Sequence, residues 1–159
     1  MINIKDQENL SQKKVLLRLD LNVPLKDGLV VDETRINKII PVINFLIEKK
    51  SKIIIISHVG RPKGKVDKIL SLKPICENLE KKIKKKIKLI SENIFKLKKD
   101  DLFQDPDDQI VFLENIRFYK EEEENDTSFA KNLANFADFY VNDAFSCSHR
   151  AHASISKIT

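Results

Sequence analysis

The chain has 159 residues, a length that suggests one domain, and its 42% hydrophobic and 33% charged residues supply a real core and exclude wholesale disorder. No apolar run approaches the roughly eighteen residues of a membrane span, so a soluble, non-membrane protein is expected. Twenty-nine Lys and Arg against 24 Asp and Glu leave a net charge of +5, and a pI near 9.1 raises the question of a nucleic-acid partner.

In chain order, the N-terminal MINIKDQENLSQ has neither a basic nor a hydrophobic targeting region, and a cytoplasmic location is expected. Residues 15–19 (VLLRL) read as a buried strand. Ile36, Ile39, Ile40, Ile43, Leu46 and Ile47 then follow helical spacing behind Asp32 or Glu33. Pro41 cannot donate to the carbonyl of Asn37, which predicts a kink or two shorter helices. A second strand is expected at 52–57 (KIIIIS). Ser71 is placed to cap the next helix, with Pro74 in its first turn and Leu72, Ile75, Cys76, Leu79 and Ile83 facing inward. In the lysine-rich stretch 81–88 (KKIKKKIK), Ile83 and Ile87 are four apart and predict one helix face beneath solvated lysines.

Further strands are expected at 87–90, 110–113 (IVFL) and 139–142 (FYVN), with a short helix within 92–101. The run of glutamates at 121–124 reads as a solvated loop. A last helix over 127–137, capped by Asn125 or Asp126, turns Phe129, Ala130, Leu133, Ala134 and Ala137 inward. Strands that are continuous apolar runs and alternate with helices predict an α/β fold, a three-layer Rossmann-like domain with a mostly parallel sheet. Ligands of such sheets bind beyond the carboxyl ends of the strands.

The polar residues gather where that rule points. The first strand runs into Asp20, Asn22 and Pro24, the second into His58, Gly60 and Arg61, the fourth into Glu114, Asn115 and Arg117, and the fifth into Asn142, Asp143, His149 and Arg150. Singly, each reads more readily as a turn residue than as a ligand contact; Asp20 and Asn115 could cap turns. Jointly they put three arginines and all three histidines (His58, His149, His152) on or beside one rim. Arginine is scarce here, five residues (Arg18, Arg35, Arg61, Arg117, Arg150) against 24 lysines, so each asks for a reason, and a guanidinium grips carboxylate or phosphate with a planar fork that an ammonium lacks. Cys76 and Cys147 form neither a disulfide framework nor a zinc site, and the pair His149 and His152 lacks the further ligands that a metal needs. Three glycines, with no GxGxxG and no Walker loop, give a nucleotide site no support.

LRLDLNVP (17–24), Arg35 inside a helix, SHVGRPKG (57–64), FLENIRFYKEEE (112–123) and VNDAFSCSHRAHAS (141–154) resemble, in order and over nearly the whole chain, the N-terminal half of phosphoglycerate kinases. The resemblance implies a domain, here residues 1–159, that binds 3-phosphoglycerate or 1,3-bisphosphoglycerate. It also implies that the nucleotide-binding lobe, with its Mg-ATP or Mg-ADP, is not on this chain, so that no cofactor is expected here and the half alone has no turnover. Position by position, it implies that Asp20 and Asn22 contact the hydroxyl and carboxyl end of the glycerate. His58, Arg61, Arg117 and Arg150 would hold the substrate phosphate, and Arg35 would stabilise the phosphoryl group in transfer. Arg18 is not among the residues it supplies and reads as a structural ion-pair partner. Lys157 departs from the glycine usual in the family. The whole enzyme would pass a phosphoryl group between 1,3-bisphosphoglycerate and ADP, as a monomer with no nucleic-acid or membrane partner.

A second reading is a non-catalytic basic α/β module that binds polyanions or RNA through residues 81–88. Two Tyr and no Trp give it little to stack bases on.

Overall fold

The computed structural model describes residues 4–144 and 151–158. Five strands, β1 (Lys14–Leu19), β4 (Lys52–Ile56), β5 (Lys88–Ile90), β6 (Ile110–Leu113) and β7 (Phe139–Asp143), form one sheet in the order β5-β6-β4-β1-β7, and every pairing in it is parallel. A two-stranded antiparallel hairpin, β2 (Leu25–Lys26) and β3 (Leu29–Val30), stands apart from it.

The central strands are buried on both faces because helices cover both. Val15, Leu17 and Leu19 of β1, Ile53 and Ile55 of β4, and Ile110 and Phe112 of β6 pack under α1 (Thr34–Glu48) and α2 (Lys73–Ile83). The alternate residues, Leu16, Ile54, Ile56, Val111 and Leu113, pack on the other side against Phe129, Ala130 and Leu133 of α4 (Thr127–Ala134). Fully burying one such aliphatic side chain stabilises the fold by about 1.5–3 kcal/mol, and the β-branched run Ile53, Ile54, Ile55 and Ile56 suits a strand hidden on both faces.

Several local expectations are corrected. The chain does not divide at Pro41: α1 is a single helix with Pro41 inside it, and because Pro41 and Asn37 are both exposed, the hydrogen bond that proline cannot make is lost on the solvent side. Ile83 and Ile87 do not share a helix. Lys84 adopts φ 54 and ends α2, after which Ile87 turns toward the strand with its N–H bonded to Glu80. Segment 92–101 holds only the 3-10 turn Lys99–Asp101, since Asn93 instead bonds the N–H of Phe95 in a local turn. Ala134 is exposed at the end of α4, where the chain turns to bring Phe136 into the core. Finally, Lys120–Glu123 is a short helix, α3, with Glu122 buried, not a solvated loop.

Asp126 caps α4, its side chain accepting from the N–H of Phe129 at 2.7 Å; α2 instead starts behind Leu72 with no side-chain cap, and Ser71, expected to cap it, lies one residue earlier and accepts from Lys73 N at 3.2 Å. Asp32 accepts from Thr34 N, while Glu33 is drawn off to Asn78 and Lys82 and so ties α1 to α2.

Candidate functional site

Because every strand of the sheet is parallel, all carboxyl ends emerge on one edge, and the register levels them: Arg18 lies opposite Ile56 and Asn142, and Leu19 opposite Asp143. The loops that follow β1, β4 and β6 are therefore neighbours in space. Ser57 joins the first two, its Oγ donating to Leu19 O at 2.8 Å and accepting from Leu21 N at 3.2 Å. Asn115 joins the third, its Nδ2 donating to Val59 O and Leu70 O while its Oδ1 accepts from Arg117 N. Its role in the free chain is thus the turn-capping one. Glu114 likewise anchors Ser71 and the N–H groups of Leu72 and Asn115.

On this scaffold the structure brings together most of the residues expected of a site. Arg35 reaches back from the first turn of α1 to Asp20, Nη1 to Oδ1 at 2.6 Å, with the arginine side chain 46% exposed and the carboxylate 15%. Asn22 is exposed, and its Oδ1 accepts from Gly60 N at 2.9 Å. Gly60 has φ +66, a left-handed conformation that favours glycine, and a Cβ there would press on the end of the Leu70 side chain, 2.6 Å from Cδ2. A cleft of about 390 Å³ opens between these loops, lined by Asn22, Val23, Pro24, Val59 and Gly60 among others. Arg61 follows, exposed to solvent.

Two expected members lie deeper. Arg117 is 3% exposed and donates from Nη1 to Gly60 O at 3.2 Å, with Glu123 3.9 Å from its Nε. His58 is 1% exposed. Burial first, then the charges of Arg117 and Arg18, lower its pKa to about 3, so at neutral pH it is an uncharged hydrogen-bonding group and adds no positive charge to the rim. Arg150, together with His149 and Cys147, lies outside the described residues.

Beneath the rim is a cluster that sequence reading found only in part. Arg18, wholly buried on the α4 side of β1, has Glu122 Oε1 3.8 Å from its Nη2 and donates from Nε to Ser154 Oγ at 2.7 Å. The ion pair expected of Arg18 is therefore present, but Glu122 and Ser154 as its partners were not foreseen. The available signal was that a charged residue inside a buried strand demands a buried counter-charge, and four consecutive glutamates give no local hint of which one turns inward.

Fold and edge together define the class: a parallel, Rossmann-like α/β domain whose carboxyl edge is built from arginine, asparagine and aspartate. The family model described as "Phosphoglycerate kinase" matches residues 4–159, and the chain belongs to the phosphoglycerate kinase family. It is 53% identical over 161 residues to the phosphoglycerate kinase of Wolbachia pipientis wMel, covering 99% of this chain and 40% of that protein, and 44% identical over 158 residues to that of Dictyoglomus turgidum. Among solved structures, it superposes on the phosphoglycerate kinase of Coxiella burnetii with a TM-score of 0.86 at 38% identity, over 98% of this chain and 38% of that one. The Pyrococcus horikoshii enzyme gives 0.85 at 29% identity. The chain thus spans about two-fifths of the length of these relatives and corresponds to their N-terminal half.

Proposed function

We propose that this chain is the 3-phosphoglycerate-binding half of a glycolytic, cytoplasmic phosphotransferase that moves a phosphoryl group between 1,3-bisphosphoglycerate and ADP. The observation that carries the reading is the carboxyl rim, where Asp20, Asn22, Arg35, Arg61 and Arg117 converge in the order of the family's motifs. Arg61, Arg117 and Arg150 take the non-reacting phosphate. His58 contributes a neutral hydrogen bond there, while Asp20 and Asn22 take the hydroxyl and carboxyl end. Arg35, half exposed and held by Asp20, sits where charge on the transferring group is neutralised, which is most of what a protein does in phosphoryl transfer. Mg-ATP or Mg-ADP belongs to the second lobe. The described residues contain no group of three His, Cys, Asp or Glu side chains able to hold a metal ion, and no step is assigned to magnesium here. Among the described residues no helix is long and apolar enough to cross a membrane.

Calorimetric titration with 3-phosphoglycerate tests the reading. Binding by the wild-type chain, weakened about tenfold or more in Arg61→Lys at unchanged net charge, is expected, because lysine keeps the charge and loses the fork. Equal binding by Arg61→Lys would reduce the rim to a diffuse positive field. A coupled assay on the chain alone is expected to give no turnover above the blank, since closure of two lobes over the reactants is needed to exclude water and align them.

A further inference from the structure

Among the described residues Glu122 is the one buried carboxylate, and it faces basic groups from three sides. Its Oε1 lies 3.8 Å from Arg18 Nη2 of β1 and 4.0 Å from His152 Nδ1, and the charge of Arg117, from the loop after β6, also reaches it. Both hydrogen bonds that Ser154 can offer are taken by this carboxylate: the backbone N–H donates to Oε2 at 2.9 Å and the hydroxyl to Oε1 at 2.5 Å. The same hydroxyl accepts from Arg18 Nε at 2.7 Å, and Tyr140 of β7 donates its O–H to Ser154 O at 2.5 Å. The guanidinium is therefore gripped by its Nε side alone. Among the described residues its Nη1 and Nη2 are buried with no hydrogen-bond partner, and its charge extends to the rim, where it helps keep His58 neutral.

We propose that Glu122 is a positioning residue for the rim: through Ser154 it fixes the Arg18 guanidinium beneath the carboxyl edge, so that the field an anion meets is in place before the anion arrives. The proposal rests on the anion-binding reading given above. Charge alone argues the other way, because a carboxylate near an anion site repels the anion. Positioning and plain charge compensation therefore predict opposite signs for a variant that removes only the charge.

Two measurements on the whole chain decide between them. In the free protein the Arg18 Nε–H proton is expected as a slowly exchanging NMR signal that is lost in Glu122→Gln and in Ser154→Ala. In calorimetry Glu122→Gln is expected to bind 3-phosphoglycerate about tenfold more weakly although it removes a negative charge, the scale of one hydrogen bond to a charged group. Ser154→Ala, which leaves every charge in place and is the milder test of folding, should lose affinity to a similar degree, and the double variant should be no weaker than the worse single one. An unchanged Nε–H signal in both variants, or binding by Glu122→Gln as tight as wild type or tighter, overturns the proposal. If the wild type binds inorganic phosphate but not 3-phosphoglycerate, the substrate reading fails alone and the phosphate affinities of the same variants decide the role of Glu122. If it binds neither, both fall.

Discussion

Two ion pairs leave β1 two residues apart, and they differ in almost every physical respect. Arg18 points inward to Glu122, at 3.8 Å with both side chains fully buried, whereas Asp20 stands just past the strand and meets Arg35 at 2.6 Å, with the arginine nearly half exposed. The shorter contact is the weaker contribution to stability. In water-exposed surroundings an ion pair gives up hydration and side-chain freedom for little net gain, while breaking a buried pair strands a charge that water cannot reach. Distance by itself ranks them wrongly. The longer, buried pair is bridged by the hydroxyl of Ser154 between its partners; the shorter, open one lies where solvent reaches it.

The largest effect that tests this contrast is Glu122→Ala, which leaves Arg18 an uncompensated cation in the core. We expect a loss of about 3–5 kcal/mol in chemical denaturation. A loss no larger than that of Arg35→Ala would mean that burial does not separate the two pairs. For Arg35→Ala itself the expected cost in stability is below about 1 kcal/mol. Its effect should appear in catalysis: with this domain joined to a compatible nucleotide lobe, kcat should fall by a factor on the order of a hundred, comparable to the loss of other charge-stabilising donors. Arg150→Ala in the same fusion should place more of its loss in KM. A change in KM alone for Arg35→Ala would make Arg35 one more substrate anchor.

The third test is the pH dependence of stability, to which the buried cluster contributes through His58 and Glu122. His58 in the unfolded chain takes up a proton below about pH 6.5. In the folded chain it refuses that proton until about pH 3. Its contribution is thus fully present above pH 6.5 and is lost as pH falls toward 3, at up to about 1.4 kcal/mol per pH unit. Glu122 works in the opposite sense. Burial raises its pKa, so its contribution is full below its ordinary value of 4.5 and is lost as pH rises through the folded value. Urea denaturation of wild type and His58→Gln from pH 3 to 7 should show the acid-side slope of the wild type reduced in the variant by up to that amount. Parallel curves would mean that His58 takes up its proton as readily in the folded chain as in the unfolded one.

Much of the frame was legible from local pattern. The five strands of the sheet fall within a residue or so of the apolar runs that predicted them, because a strand covered on both faces must be apolar at every position. The convergence of Asp20, Asn22, His58, Arg61 and Arg117 followed from that, since parallel strands put all their carboxyl ends on one edge. What local pattern missed was set by neighbours distant in sequence. Ile87 obeyed helical spacing but left the helix because Lys84 ended it; Pro41 broke a helical rule at a position where the lost bond faces water.

The sequence by itself determined the layer architecture, the rim and its arginines, because these depend on periodicity and on residue type. Only the tertiary structure decided which of four consecutive glutamates meets Arg18, that Ser154 closes the contact, and that His58 is neutral. The reason is common to all three. Pairing and protonation are set by the desolvation and the charges a side chain meets after folding, and β1, the loop after β4, α3 and the 152–154 segment become one environment only when the sheet has formed.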